Sequence, residues 1–208
     1  MIDFKTLFQT TDYYETEDGI YYLHDYVPMR RRKNYSDEDI EISEKVIDYK
    51  NGNQQAFNQF TTEIAKVISS ISEEVTKKYI GLVAIPPSKA DKESTVHQSI
   101  HSIKEAYEQG YMRSLFGCKK KIYDYSHLLQ RDYDIRSSCR SYGNRPDYEE
   151  QKASISCIRN RLYLYHTAFI LIDDVTTSGT SMDVCEDILI ENGMDEDHIY
   201  RLAIAKTV

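Results

Sequence analysis

Two acids and a run of hydroxyl side chains follow a short apolar segment late in the chain. Residues 169–172 are all apolar, which favours a strand covered on both faces, as in a parallel sheet. Asp173 and Asp174 follow directly, at the carboxyl edge where open α/β sheets bind ligands. The start of a predicted helix then carries, in order, Thr176, Thr177, Ser178, Gly179 and Thr180. Because the first N–H groups of a helix bind anions, the whole run suits a polyol that carries a phosphate, such as phosphorylated ribose.

An ordinary strand–helix junction is the competing interpretation. Such a junction needs one capping residue, for which Asp, Ser and Thr are all common. It accounts for one acid and one hydroxyl of residues 173–180 and leaves the others unexplained. We therefore favour a ligand site over this alternative.

Residues 169–181 resemble the phosphoribosyl-pyrophosphate (PRPP) motif of type I phosphoribosyltransferases: four hydrophobic residues, two acids and a Thr/Ser-Gly-Thr turn. The resemblance implies that Asp173 and Asp174 hold the 2′- and 3′-hydroxyls of the ribose. It also implies that the loop from Thr176 to Thr180 cradles the 5′-phosphate. Mg²⁺ is then expected as a cofactor, held mainly by PRPP, assisted by the two acids and without a dedicated set of protein ligands.

A second loop, Pro86-Pro87-Ser88-Lys89, follows another apolar segment. In the class just named, a loop in this position binds the pyrophosphate of PRPP, often through a strained peptide bond. The resemblance therefore implies that Pro87, Ser88 and Lys89 bind PRPP and that Lys89 takes part in catalysis. Ser88 and Lys89 offer a hydroxyl and a positive charge to a strongly anionic group. A plain surface turn with a solvated lysine is the alternative interpretation of this loop.

The chain from about residue 20 is similar to ComF-type phosphoribosyltransferases. The likeness includes a helix end with a polar turn at residues 46–53 and a proline-ended strand at residues 83–88. It continues through residues 97–98 and 129–131 to the PRPP motif. The N-terminal four-cysteine zinc module of many ComF proteins is missing, and their arginine-rich stretch after the proline loop is reduced to two lysines. These departures argue against a shared role in DNA uptake.

Residues 131–152 would take the place of the flexible loop that closes over PRPP in this class. Arginines occur along it at positions 131, 136, 140 and 145. Because arginine pairs bidentately with phosphate groups, we expect Arg131, or alternatively Arg136, to help the pyrophosphate leave. A solvated basic loop explains the same composition equally well.

Helical and apolar segments alternate along the chain, which predicts an α/β fold with a mainly parallel sheet flanked by helices. Residues 111–152 have a less regular pattern. The resemblance implies an open sheet of the type I phosphoribosyltransferase kind, with an N-terminal hood and helical portion (residues 1–79) and a core (residues 80–208) in one integrated domain. We expect helices at residues 36–49, 54–78, 95–109 and 180–192, and strands at residues 81–85, 168–174 and 199–208.

Size and composition narrow the class of protein. The chain has 208 residues, enough for one domain with its own core. It has no segment near the roughly 20 apolar residues of a membrane-spanning helix and no signal peptide, which predicts a cytoplasmic protein. Its four widely spaced cysteines argue against a structural zinc site or a disulfide framework. A net charge of −8 disfavours general nucleic-acid binding, although residues 30–33 form a basic cluster.

Three functions are compatible with the sequence. The favoured one is an enzyme that transfers phosphoribose from Mg-PRPP to an unidentified nitrogenous base or amine and releases pyrophosphate. The second is a non-catalytic module that senses PRPP or a nucleotide on the same scaffold. The third is a nucleic-acid-associated protein, based on residues 30–33 and the arginines of residues 131–152. Dimers are common in the class that the sequence resembles, so a homodimer is an expectation as well.

Overall fold

A computed structural model describes residues 13–136, 146–158 and 164–208. The strands are β1 (Tyr14–Glu15), β2 (Ile20–Tyr26), β3 (Tyr79–Ala84), β4 (Lys121–Asp124), β5 (Leu129–Arg131), β6 (Ile155–Cys157), β7 (Thr167–Thr176) and β8 (Ile199–Thr207). The helices are α1 (Asp37–Lys50), α2 (Gln54–Glu74), α3 (Thr95–Glu108), α4 (Tyr111–Phe116), α5 (Tyr148–Ala153) and α6 (Thr180–Glu191). Short 3-10 helices occupy Met29–Asn34, Leu164–His166 and Glu196–His198.

The main sheet has six strands in the order β1-β2-β8-β7-β3-β4, and β5 pairs with β6 in a separate two-stranded sheet. In the main sheet β2, β8, β7, β3 and β4 run parallel, and β1 is antiparallel to β2. The prediction of an α/β fold with a mostly parallel sheet flanked by helices is confirmed. No helix in the described part of the chain is long and apolar enough to span a membrane.

Strand β7 lies between β3 and β8 and is buried on both faces. Ile170 is paired with Leu82 of β3 on one side and with Tyr200 of β8 on the other. Alternate side chains enter two separate cores: Ile170 and Ile172 belong to one, and Phe169 and Leu171 belong to the other. This double burial explains the continuous apolar run of residues 169–172.

Helix α1 begins with a capping box in which the Ser36 side chain accepts from the Asp39 N–H and the Asp39 carboxylate accepts from the Ser36 N–H. Helix α2 presents an apolar stripe to the core, including Phe60, Ile64 and Ile68, all fully buried. It ends at Glu74, four residues before the expected end, because the buried Val75 adopts an extended conformation there. The chain then turns directly into β3.

The N-terminal portion contributes β2 to the same sheet as the later strands, through parallel pairing with β8. Its side chains Leu23, Val46 and Tyr49 share a core with Ile80 of β3. The expected boundary between the N-terminal portion and the core, at residues 79 and 80, falls within β3. The two stretches of sequence on either side of it share one core.

The described parts of residues 111–152 are more regular than the sequence predicts. They contain α4, β4, β5 and α5, and β4 extends the main sheet beside β3. Each of these elements has only three to six residues. Such short elements show too few repeats of a helical or strand period to be recognised in a sequence.

The close packing over Gly81 generates the first prediction. A Cβ at this position would lie 2.6 Å from Tyr125 Cδ2 and 2.9 Å from Phe169 Cδ1. We expect Gly81→Ala to lower the free energy of unfolding by about 1–3 kcal/mol, because both rings would have to shift within a packed core. Urea denaturation measures this change, and Ser70→Ala on the exposed face of α2 should alter stability by less than about 0.5 kcal/mol. Equal stability of Gly81→Ala and the wild type would contradict this packing.

Candidate functional site

Asp173 and Asp174 lie in β7, close to its carboxyl end. The strand continues to Thr176, two residues beyond its expected end, so both acids are held by strand geometry rather than by a loop. The Asp174 N–H donates to the Asp173 carboxylate (2.8 Å), and the Val175 N–H donates to Asp174 Oδ1 (2.6 Å). Each carboxylate therefore receives one backbone N–H.

The two acids have an unusual electrostatic environment. Protein atoms crowd Asp173 and remove much of its hydration, and the charge of Asp174 is adjacent. Together these two effects raise the pKa of Asp173 to about 7, and the ammonium of Lys50 acts in the opposite direction. Perturbed acids of this kind are common where a protein binds a ligand or performs chemistry.

Lys50 is a site residue that the sequence reasoning missed. It is the last residue of α1, and its Nζ lies 3.0 Å from Asp174 Oδ1. In the sequence it was visible only as part of the polar turn at residues 46–53. Nothing in its local pattern distinguishes it from other surface lysines, because the contact joins residues far apart in the chain.

The hydroxyl-rich loop connects β7 to the N-terminus of α6. Gly179 has φ of +81°, in the left-handed region that glycine adopts without strain, and α6 begins at the next residue. Thr177 shares a hydrogen bond with Thr207 of β8 (3.0 Å), and Ser178 shares one with Thr180 (2.9 Å). The loop thus places hydroxyl groups next to the first N–H groups of α6, a combination of donors that suits an anion.

Thr176 differs from the four loop residues that follow it. It lies within β7, paired with Lys206 of β8, and only 5% of its surface is exposed. Of the five residues expected to cradle a phosphate, Thr177 to Thr180 thus connect the sheet to α6, and Thr176 anchors this connection in β7.

The proline loop lies beside the acid pair. Strand β3 pairs with β7 up to Ala84 and Ile172, and the Ile85 N–H donates to the Ile172 carbonyl (3.0 Å). Pro86, Pro87, Ser88 and Lys89 thus leave β3 next to the point where β7 presents Asp173. The described residues contain no cis peptide bond.

Lys89 lies on the exposed side of the proline loop. Its Nζ is 2.6 Å from the Asp134 carboxylate, and about half of each side chain is exposed. The Ala90 N–H also donates to Asp134 (2.8 Å), and the Ile135 N–H donates to the Ser88 carbonyl (2.9 Å). The loop is therefore bound to the segment that follows β5.

Arg131 holds the same loop from its buried side. Its Nε donates to the Pro87 carbonyl (2.8 Å), its Nη2 to the Pro86 carbonyl (3.3 Å), and its Nη1 to the Ser154 hydroxyl. Only 8% of its surface is exposed, and burial lowers the pKa of its guanidinium. In this arrangement Arg131 holds the proline loop in place, and the expectation that it helps the pyrophosphate leave stays a prediction.

The expected closing loop at residues 131–152 is only partly within the described residues. Arg140 and Arg145 lie outside them. Arg136 is exposed, with its Nη2 3.8 Å from the Glu150 carboxylate. The segment from Pro146 onwards forms α5, in which Lys152 pairs with Glu191 of α6 (2.6 Å).

Within the described ranges, no group of three or more His, Cys, Asp or Glu side chains comes together in a way that could hold a metal ion. The acid pair offers two carboxylates, which are suitable ligands for a hard cation such as Mg²⁺. A divalent ion bound here would therefore need further oxygen ligands from a bound molecule such as a phosphate ester.

Comparison with models of known protein families finds no match to this sequence, and comparison with curated proteins finds none either. The function is therefore inferred from the residues and the geometry of the site.

The raised pKa of Asp173 generates the second prediction. An acid whose pKa rises on folding binds more protons in the folded state, so the wild type should lose stability as the pH rises from about 4 to about 7. We expect Asp173→Asn, which keeps the acceptor for the Asp174 N–H, to be more stable than the wild type at pH 8, by up to about 4 kcal/mol.

Urea denaturation between pH 4 and pH 8 measures this difference, which should shrink as the pH falls toward 4. Asp37→Asn, on the exposed first turn of α1, is the matched control for the loss of one carboxylate and should not reproduce the gain in stability at pH 8. A constant difference between Asp173→Asn and the wild type across this pH range would show that Asp173 does not titrate as described.

The contacts of Arg131 generate the third prediction. We expect Arg131→Met to lower the free energy of unfolding by about 2–4 kcal/mol, because it leaves one buried carbonyl, one half-buried carbonyl and a buried hydroxyl without their donor. Arg113→Met, an exposed arginine of α4, should change stability by less than about 0.5 kcal/mol. If Arg131 pointed to a ligand instead of the loop, its replacement would leave the stability of the ligand-free protein unchanged.

Proposed function

We propose that this protein binds Mg-PRPP at the carboxyl edge of β3 and β7 and transfers phosphoribose to a nitrogenous acceptor, as type I phosphoribosyltransferases do. One observation carries the proposal: three groups suited to three parts of PRPP are adjacent at this edge. They are the acid pair Asp173 and Asp174, the hydroxyl loop before α6, and the proline loop after β3. The same edge is where open parallel sheets bind ligands in general.

The acid pair is suited to the ribose. Ionised carboxylates accept hydrogen bonds from hydroxyls, and the 2′- and 3′-hydroxyls form a neighbouring pair of donors. When pyrophosphate leaves, positive charge develops on the ribose ring, and two carboxylates held by Asp174 N–H and Val175 N–H would stabilise it without reorganising. Asp173 and Asp174 are therefore assigned both binding and catalysis in this proposal.

The loop from Thr177 to Thr180 is suited to the 5′-phosphate. Its hydroxyls and the N-terminal N–H groups of α6 supply several donors and the positive end of a 12-residue helix. The 5′-phosphate takes no part in the bond changes. Its binding energy would instead position the anomeric carbon relative to the acids and the acceptor.

The proline loop is suited to the pyrophosphate. Ser88 and Lys89 lie on the accessible side of this loop. On its other side, Arg131 donates hydrogen bonds to the loop backbone. In the proposed reaction, the bond from the anomeric carbon to the pyrophosphate oxygen breaks, a bond to the acceptor nitrogen forms, and the acceptor loses a proton. Mg²⁺ bound with PRPP would neutralise charge on the departing pyrophosphate.

A non-catalytic sensor of PRPP would use the same three groups. Binding alone does not separate it from a transferase, but pyrophosphate release in the presence of an acceptor does. The nucleic-acid hypothesis receives less support from the contacts of its residues. Arg31 donates to the Val208 carbonyl (2.7 Å), Arg32 pairs with Glu44 (3.0 Å), and Arg131 is buried.

The fourth prediction tests PRPP binding by calorimetric titration with Mg²⁺ present. The wild type should bind, and Asp173→Asn/Asp174→Asn should bind at least about 100-fold more weakly, because both acceptors of the ribose hydroxyls lose their charge. The matched control is Asp195→Asn/Asp197→Asn, which removes the same charge next to the opposite end of the sheet, where β8 begins. The control should bind as the wild type does.

Wild-type binding that only the site variant loses would support the proposal and justify a screen of bases and amines for pyrophosphate release. Turnover with any of them identifies a transferase, and binding without turnover favours the sensor. Absence of wild-type binding would overturn the assignment of PRPP to this site.

A further inference from the structure

Lys50 connects the N-terminal portion of the chain to the acid pair. It ends α1, and its backbone carbonyl accepts a hydrogen bond from the Thr95 hydroxyl (3.5 Å) just at the start of α3. Its Nζ lies 3.0 Å from Asp174 Oδ1, with 32% of the Lys50 side chain and 22% of the Asp174 side chain exposed. This ion pair is therefore partly shielded from water, unlike a pair on the open surface.

The Lys50 contact is directed at one particular oxygen. Asp174 Oδ1 receives both the Lys50 ammonium and the Val175 N–H, at 3.0 Å and 2.6 Å. Two donors on the same oxygen fix the rotation of the carboxylate about its terminal bond. A carboxylate accepts through both of its oxygens, so Oδ2 is the oxygen that we assign to a ligand hydroxyl.

We propose that Lys50 is a positioning residue of the phosphoribosyl site, acting through Asp174: it orients the carboxylate that receives a ribose hydroxyl. This inference rests on the proposed function, and it adds a residue that neither the PRPP motif nor the proline loop contains. It also gives α1 a role in the site, because the helix end must stay in place for Lys50 to reach Asp174. Asp173 is oriented by the Asp174 N–H, and the charge of Lys50 acts on it as well.

The test compares the affinities of variants by calorimetry, with ribose 5-phosphate and Mg-PRPP as separate probes. Ribose 5-phosphate carries the hydroxyl pair and the phosphate but no pyrophosphate, so it reports on the acid pair and the hydroxyl loop without the proline loop. We expect Lys50→Met to bind both probes about tenfold more weakly, the loss typical of a hydrogen bond to a charged group. Lys50→Arg, which keeps a positive donor on a long side chain, should bind within about threefold of the wild type.

The matched control lies on the same helix. Lys45 pairs with Glu41 one turn before it (2.7 Å), away from the acid pair, and Lys45→Met should leave both affinities unchanged. Melting temperatures of all variants separate a loss of affinity from a loss of folded protein.

A double-mutant cycle decides whether Lys50 acts through Asp174. In the Asp174→Asn background, the further change Lys50→Met should weaken the affinity for ribose 5-phosphate clearly less than tenfold, because the carboxylate to be oriented is already gone and only the effect of the Lys50 charge on Asp173 remains. An equal tenfold loss in both backgrounds would mean that Lys50 acts independently of Asp174 and would overturn the inference.

Unchanged or tighter binding by Lys50→Met alone would also overturn it. A wild type that binds neither probe would overturn the proposed function itself, which distinguishes that failure from a failure of the Lys50 inference.

Discussion

The parallel pairing of β7 with β3 and β8 is the constraint on which the rest of the structure depends. It brings the carboxyl ends of β3 and β7 to one edge, so the proline loop and the acid pair are neighbours. The register is set by burial: Ile170 and Ile172 fill one core, and Phe169 and Leu171 fill the other. A slip of one residue would exchange these sets between the two cores and would also move the acids relative to the proline loop.

The local features of the site could be predicted from the sequence because each is formed by consecutive residues. Four apolar residues, two acids and a Ser-Gly-Thr turn specify a strand, its end and a helix start, and the structure contains all three. The elements between residues 111 and 152 could not be predicted in this way. Strands β4 and β5 have only four and three residues, and they are stabilised by pairing with distant strands rather than by their own pattern.

The roles of individual charged residues could be predicted least well. Arg131 and Arg136 look alike in the sequence, yet Arg131 is buried behind the proline loop and Arg136 is exposed near Glu150. Lys50 resembles any lysine at a helix end until the fold brings it to Asp174. In each case the residue that the charged side chain contacts is far away in the chain. The sequence therefore shows the charge but not its contact partner. Burial, rather than residue type, separates a positioning arginine from one that can meet a ligand.

The acid pair also helps to decide whether the carboxyl edge of β3 and β7 is a ligand-binding site or an ordinary strand–helix junction. A strand–helix junction is satisfied by one capping side chain, and a second acid beside it adds only repulsion and lost hydration. Here that cost is large enough to raise the pKa of Asp173 to about 7, and the fold supplies a backbone N–H to each carboxylate and a lysine from another helix to offset it. Two adjacent carboxylates repel each other, and here the surrounding structure offsets that repulsion with specific donors. Such an arrangement is expected at a site where a bound ligand completes the interactions. The electrostatics of Asp173, Asp174 and Lys50 thus favour a ligand site on grounds that do not depend on the resemblance of the motif.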